Sequence, residues 1–307
     1  MSNKPRVLIT GAGGFVGQAL TQLLLKKGYG VRALVRNRII GFSHAGLEQI
    51  KHLDLNLSSQ AMLKTLFDQI DIVIHLAAHV HQVAPCEQDK QLYYDINLNL
   101  TSRLAEIALE TSVQQFIYLS TIKVNGEKTE KNKPFTDLDQ PNPQDDYAKS
   151  KYLAELSLKK ILSESTLPYT IIRPPLVYGP TVGGNFQELT RLVKKNSFFL
   201  WPLGGIENQR SLIQVDYLAQ CIECAIFNSQ VYNKVLLVAD QKDRSTPELI
   251  QYIANLHHQK IKLWDIPPIL LSWVAKLIGA EKKFQKLTHN LQIDSTKSRA
   301  LLRLSKV

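Results

Sequence analysis

The sequence predicts an α/β fold, a doubly wound parallel sheet with a smaller C-terminal lobe, and two observations carry that prediction. Short β-branched apolar runs alternate with segments of helical period through the first half of the chain. A glycine-rich turn joins the first of these strands to the first helix. A domain boundary is expected near residue 173, with residues 174–307 forming the second lobe and the chain crossing back to the sheet.

The elements follow in order. Residues 6–10 read as a strand that runs into Gly11-Ala12-Gly13-Gly14-Phe15-Val16-Gly17, and residues 15–27 read as a helix. Glycines at this spacing allow a tight turn, close approach of backbone to a pyrophosphate, and close packing of helix on strand, so the turn predicts a Rossmann-type dinucleotide site. Strands are expected at residues 31–35, 72–75, 116–119 and 169–172, and helices at 59–70, 92–110 and 147–163. Ligands of such a sheet bind beyond the carboxyl ends of the strands.

After the second strand, Leu34-Val35-Arg36 offers no acid to grip an adenosine ribose. Arg36, helped by Arg32 or Arg38, suits the 2′-phosphate of NADP, so the expected cofactor is NADP or NAD with NADP ahead.

Tyr147-Ala148-Lys149-Ser150-Lys151 opens a helix, and the four-residue spacing puts Tyr147 and Lys151 on one face. A phenol ordinarily titrates near pH 10, and a neighbouring ammonium with a positive nicotinamide favours the phenolate, making Tyr147 a general acid/base candidate. Ser120 and Thr121 lie just past the strand at residues 116–119, where a hydroxyl can bond the reacting oxygen.

Together these motifs resemble the extended short-chain dehydrogenase/reductases, the NAD-dependent epimerase/dehydratase group in particular. The resemblance covers about residues 6–220 and extends to further segments. Leu53-Asp54-Leu55 resembles the stretch in which Asp54 and Leu55 flank the adenine, and His75-Leu76-Ala77-Ala78 the loop lining the cofactor. Tyr94-Asp95-Ile96-Asn97 resembles the stretch whose Asn97 supports the active-site helix, and Arg173-Pro174-Pro175 the strand end passing the nicotinamide. Gly184-Asn185-Phe186 and Gln209-Arg210-Ser211 resemble segments that hold a nucleotide diphosphate; His79 joins Asn185 and Arg210 as a substrate-side candidate, and Asp216 reads as structural.

The resemblance implies hydride transfer at C4 of a nucleotide-activated hexose, a UDP-hexose or UDP-hexosamine. Tyr147 would move the proton, Lys151 hold the ribose and Thr121 orient the C4 oxygen. Ser120-Thr121-Ile122-Lys123 and the Arg173 stretch are most similar to bacterial surface-polysaccharide enzymes. Within that group a 4-keto reductase of UDP-6-deoxy-hexosamines is favoured over a UDP-glucose or UDP-N-acetylglucosamine 4-epimerase. A catalytically inactive sensor or scaffold is the rival of another class. Pro174, Pro175 and Leu176 stand where UDP-galactose epimerases usually carry an Asn, and Ile122-Lys123 replaces the acid pair typical of 4,6-dehydratases. The resemblance also implies a homodimer through the helices at 92–110 and 147–163.

Composition is consistent with an enzyme of this size: 307 residues, 44% hydrophobic and 21% charged, with no low-complexity tract. No secretory leader or membrane-spanning stretch is visible, so a cytoplasmic location is expected. The formal charge of +10 is uneven, with ten Lys/Arg against three Asp/Glu from Lys260 onward. That charge reads as a solvated face, as attraction to diphosphates, or as attraction to an anionic membrane surface; nucleic acid is not expected. The apolar stretch 266–278 reads as a lobe helix packed on the core, with a membrane-surface role as rival. Cys86, Cys221 and Cys224 are expected as reduced, packed thiols, and His79-Val80-His81 as loop polar groups without a metal.

Overall fold

A computed structural model describes residues 4–36, 43–51, 58–80, 87–179, 184–195 and 200–304. Its centre is a seven-stranded sheet. Strand β1 (Arg6–Thr10) is followed by helix α1 (Phe15–Lys26), strand β2 (Gly30–Val35) and strand β3 (Leu47–Lys51). Helix α2 (Gln60–Thr65) leads to β4 (Ile72–His75), after which α3 (Glu87–Leu92), a π-helical segment at Tyr93–Asn99 and α4 (Leu100–Leu109) follow one another without interruption. Then come β5 (Gln115–Leu119), α5 (Asp146–Leu162) and β6 (Tyr169–Arg173).

The remaining elements alternate between the lobe and the sheet: β7 (Leu176–Tyr178), α6 (Gly184–Lys195), β8 (Leu200–Trp201), β9 (Leu212–Gln214), α7 (Val215–Cys224) and β10 (Lys234–Leu237). Helix α8 (Thr246–Leu256), β11 (Lys262–Leu263), α9 (Pro268–Leu277), α10 (Glu281–Thr288) and α11 (Thr296–Leu301) complete the described chain. The sheet runs β10-β6-β5-β4-β1-β2-β3, with every described pairing parallel.

Strand alternation builds two cores, one on each face. Val7 and Ile9 point with Ala33 and Ile74 toward Leu20 and Leu24 of α1 and Leu218 and Ile222 of α7. Leu8, Val73, Phe116 and Ile171 point the other way, toward Leu104 of α4 and Ala154 and Leu158 of α5. A smaller cluster of Tyr178, Trp201, Leu212, Leu249 and Ile253 holds the lobe together.

Three readings of the sequence are corrected. Strand β3 was not expected; it lies at the sheet edge, and its polar Glu48 and Gln49 hide the period. The single helix expected at 92–110 is broken by the π-helical segment, which turns Tyr93 and Asn97 inward. Helix α9 does not pack its apolar residues on the core: Ile269, Leu270, Trp273, Val274 and Leu277 are all exposed, and Ala275 is its buried side chain.

Candidate active site

Helix α5 presents a stripe of three titratable side chains to the ends of β5 and β6. Its first turn is fixed by Asp145, whose carboxylate accepts from the Ala148 amide at 2.7 Å and from Lys123 Nζ at 2.6 Å. Beyond that cap, Tyr147, Lys151 and Glu155 recur every fourth residue on the face toward the sheet.

Each member has a partner on the strand ends. The Tyr147 phenol lies beside the Thr121 hydroxyl, which acts to lower its pKa, and Thr121 caps the turn after β5 by accepting from the Lys123 amide. Lys151 is buried, donates to the Leu119 carbonyl at 2.7 Å, and sits 4.1 Å from the centroid of the Tyr118 ring. Glu155, fully buried, accepts two bonds from Arg173, at 2.9 and 2.5 Å, and one from Ser120 at 2.5 Å. Arg173 completes its fork on Asn125 Oδ1 at 2.8 Å.

Burial sets the electrostatics of the stripe. Desolvation pushes the Tyr147 phenol above its ordinary range, aided by the Asp145 charge and opposed by the neighbouring Thr121 hydroxyl. Desolvation lowers Lys151 to about 7, with Glu155 holding part of the charge. A lysine placed there gains from any further negative or polar partner that enters.

A second support stands behind the stripe. Asn97, fully buried, accepts from the His79 amide at 2.8 Å, donates to the His79 carbonyl at 3.1 Å and to Ser150 of α5 at 2.9 Å. It thereby locks the loop after β4 to the active helix. His75, beneath, lies between Thr10 and Thr101 at 2.6 and 2.8 Å and stacks on Tyr118 at 5.5 Å; burial lowers its pKa to about 3, so the ring is neutral.

Across the sheet ends lies the glycine turn. Gly11 has φ +71°, and a Cβ there would meet Ala77 N at 2.7 Å; one on Gly17 would meet the Gly11 carbonyl at 2.3 Å. Gly14 precedes α1 without a side-chain cap, leaving the first amides of Phe15–Lys26 unclaimed by side chains. Leu76, Ala77 and Ala78 line the adjoining loop, pinned by Ala77 N to Thr10 Oγ1 at 3.2 Å, and buried Pro174 accepts from the Ile122 amide at 2.9 Å. A side-chain-free cradle against an open helix N-terminus fits a dinucleotide diphosphate.

Some expected residues are placed differently. Arg32 is buried, paired with Glu48 at 2.7 Å and with the Leu66 and Asp68 carbonyls, so it is removed from the 2′-phosphate group proposed for it. Arg36 is exposed at the end of β2. Ser120 gives its hydroxyl to Glu155 rather than to the Tyr147 side of the site. Arg210 spends one arm on the Lys286 and His289 carbonyls at 2.9 and 3.0 Å. Asp54, Leu55, Arg38, His81 and Cys86, with the side chain of Asn185, lie outside the described residues. Cys221 and Cys224 are free thiols, and no metal-ligand cluster occurs among the described residues. Glu155, Arg173 and His75 were not singled out for the roles they take here; the stripe spacing Tyr147, Lys151 was the signal that reaches Glu155.

The chain is 34% identical over 299 residues to a Vibrio cholerae protein named UDP-glucose 4-epimerase, covering 96% of this chain and 89% of that one. It is 27% identical over 266 residues to an Escherichia coli O157:H7 protein named N-acetyl-alpha-D-glucosaminyl-diphospho-ditrans,octacis-undecaprenol 4-epimerase, covering 85% and 75%. The solved structure of UDP-glucuronic acid 4-epimerase from Bacillus cereus in complex with NAD shares the fold, at TM-score 0.75 and 21% identity over 98% of this chain and 91% of that one. Residues 7–238 match the NAD dependent epimerase/dehydratase family, and the chain belongs to that family.

Proposed function

We propose that the protein interconverts the C4 epimers of a nucleotide-activated hexose, a UDP-hexose or UDP-hexosamine, using a bound NAD. The observation that carries this reading is the α5 stripe: a phenol beside the Thr121 hydroxyl, with Lys151 one turn behind it at the end of β5, on the same sheet whose β1 end carries the glycine cradle. The near full-length similarity to a protein named UDP-glucose 4-epimerase supports it.

Each side chain then has a task. Tyr147 takes the C4 hydroxyl proton and returns it, and Thr121 orients the oxygen that loses it. Lys151 binds ribose hydroxyls, and its ammonium together with the positive ring of the bound cofactor would offset the burial that raises the Tyr147 phenol. Ser120 acts through Glu155 as a positioning residue, and Asn97 through Ser150. Gly11, Gly14, Phe15, Val16 and Gly17 hold the diphosphate; Asp54 and Leu55 flank the adenine, and Leu76, Ala77, Ala78 and Pro174 line the rest of the cofactor site. His79, Arg210 and, by the family resemblance, Asn185 would contact the substrate, which residues 174–307 would enclose while residues 1–173 hold most of the cofactor. When bound, the dinucleotide supplies a hydride acceptor and a positive ring that favours the phenolate.

A 4,6-dehydratase is disfavoured because its acid pair is missing. Ile122 is buried, and Lys123 is held between Glu127 at 3.0 Å and Asp145 at 2.6 Å. With Arg32 engaged elsewhere, NADP use is left to Arg36, exposed beyond β2, and to Arg38, which lies outside the described residues. The 4-keto reductase reading rests on the motifs at residues 120–123 and Arg173 and on the missing acid after β2.

The test is purified protein with UDP-glucose or UDP-N-acetylglucosamine and no added cofactor, followed by sugar NMR. Inversion at C4 supports the epimerase. Oxidation of NADPH with a UDP-4-keto-6-deoxy sugar, without inversion, would instead assign the reductase. Tyr147→Phe should slow the active reaction by about 10²-fold or more, and unchanged turnover would remove the mechanism.

A further inference from the structure

The apolar stripe of α9 is turned away from the protein. At 3.6 residues per turn, Ile269, Trp273, Leu277, Leu270 and Val274 fall within about 140° of arc, with buried Ala275 on the opposite side. Trp273 is 71% exposed and Leu277 84%, and Ile278 and Trp264 extend the patch beyond the helix at both ends. An apolar helix face this complete, on a soluble-sized lobe, marks a surface that meets something.

Charge decides what it meets. Lys262 and Lys276 border the patch and are exposed, as is Lys286 of α10, whose sequence adds Lys282 and Lys283. In the sequence from Lys260 to His289 six Lys stand against two Asp/Glu. A second copy of this chain docked face to face would bring these lysines together, which disfavours self-association there. Anionic lipid offers the complement for both parts: headgroups for the lysines and acyl chains for the aliphatic side chains, with tryptophans at the boundary.

We propose that α9 lies flat on an anionic phospholipid surface, burying Ile269, Leu270, Trp273, Val274 and Leu277 at the headgroup boundary with Lys262 and Lys276 on the phosphates. No helix among the described residues is long and apolar enough to cross a membrane, so the attachment is peripheral. The docking segment is tied to the substrate side of the site. Asn208 and Arg210 both donate to carbonyls at the end of α10, Asn208 to Leu287 and His289, Arg210 to Lys286 and His289. The Gly204 amide likewise donates to the Trp264 carbonyl at 2.9 Å. A surface seated on α9 therefore lies against the lobe that carries Arg210, independently of which sugar reacts.

The test uses the full chain with vesicles of phosphatidylcholine alone and of phosphatidylcholine mixed with phosphatidylglycerol, read by co-sedimentation and tryptophan fluorescence. Binding to the mixed vesicles, a blue shift, and weakening at high salt are expected. Trp273→Glu with Leu277→Glu should lower binding by about tenfold or more, with circular dichroism and activity on a soluble nucleotide sugar unchanged. Lys262→Glu with Lys276→Glu should abolish the preference for the anionic vesicles. Equal binding by wild type and Trp273→Glu/Leu277→Glu, or no vesicle binding at all, overturns the proposal. A dimer in lipid-free buffer that the same double variant makes monomeric overturns it too, assigning the face to a second copy.

Discussion

Replacing Glu155 by leucine removes the hub on which Arg173 and Ser120 converge while keeping the bulk of the side chain. Arg173 is 4% exposed and would retain Asn125 as its side-chain acceptor. Two charge-assisted bonds from the guanidinium and one from Ser120 are lost, at about 1.5 kcal/mol each. That sum, about 4.5 kcal/mol, falls in the range of about 3–5 kcal/mol seen when one partner of a buried ion pair is removed. For a chain of this length it corresponds to a fall in Tm of about 6–10 °C. The assay is thermal unfolding by circular dichroism at neutral pH. Adding Arg173→Met should recover more than half of the loss, because the uncompensated charge leaves with it. A drop of less than about 1 kcal/mol in the single variant, or a double variant as unstable as the sum of its parts, would refute the reasoning.

The glycine turn and the buried lysine give two further tests. Gly17→Ala puts a Cβ 2.3 Å from the Gly11 carbonyl and 2.6 Å from Ala12 Cα, whereas at Gly14 the contact is 3.1 Å; NAD affinity by calorimetry should fall by about tenfold or more for Gly17→Ala and clearly less for Gly14→Ala. Equal losses would mean that the turn does not pack as described. Lys151 titrates at about 7 in the fold against 10.5 ordinarily, so between these values the unfolded chain holds the extra proton. Stability of the ligand-free protein should therefore rise with pH across that window, by up to about 1.4 kcal/mol per pH unit from this group. In Lys151→Met that rise should be missing, and identical stability profiles for the two proteins would show the ammonium to be solvated.

Much of the fold was legible because strand β-branching and the glycine turn are local signals. The Arg6–Thr10 strand, its turn and Phe15–Lys26 follow directly from residue types. Strand β3 escaped because Glu48 is spent on Arg6 and Arg32, a contact that no local pattern announces. The π-helical register of Tyr93–Asn99 answers to α5, against which Tyr93 and Asn97 pack; the sequence alone shows an ordinary helical period. The Tyr147 and Lys151 pair was visible as a spacing, whereas the burial of Glu155 depends on Arg173, 18 residues away on strand β6. The outward face of α9 reversed an expectation for a similar reason: apolar periodicity says that a face exists, and only the packed lobe says whether protein covers it.

The central claim is that Tyr147 and a bound dinucleotide act together on one carbon of the sugar. UDP-glucose carrying deuterium at C4, turned over in ordinary water, tests it most directly by mass spectrometry and NMR of the product. The account predicts an inverted C4 that keeps its deuterium, with slower turnover than the protiated sugar and no reaction above background in Tyr147→Phe. Deuterium lost to solvent during inversion would contradict it, as would inversion by protein that holds no dinucleotide.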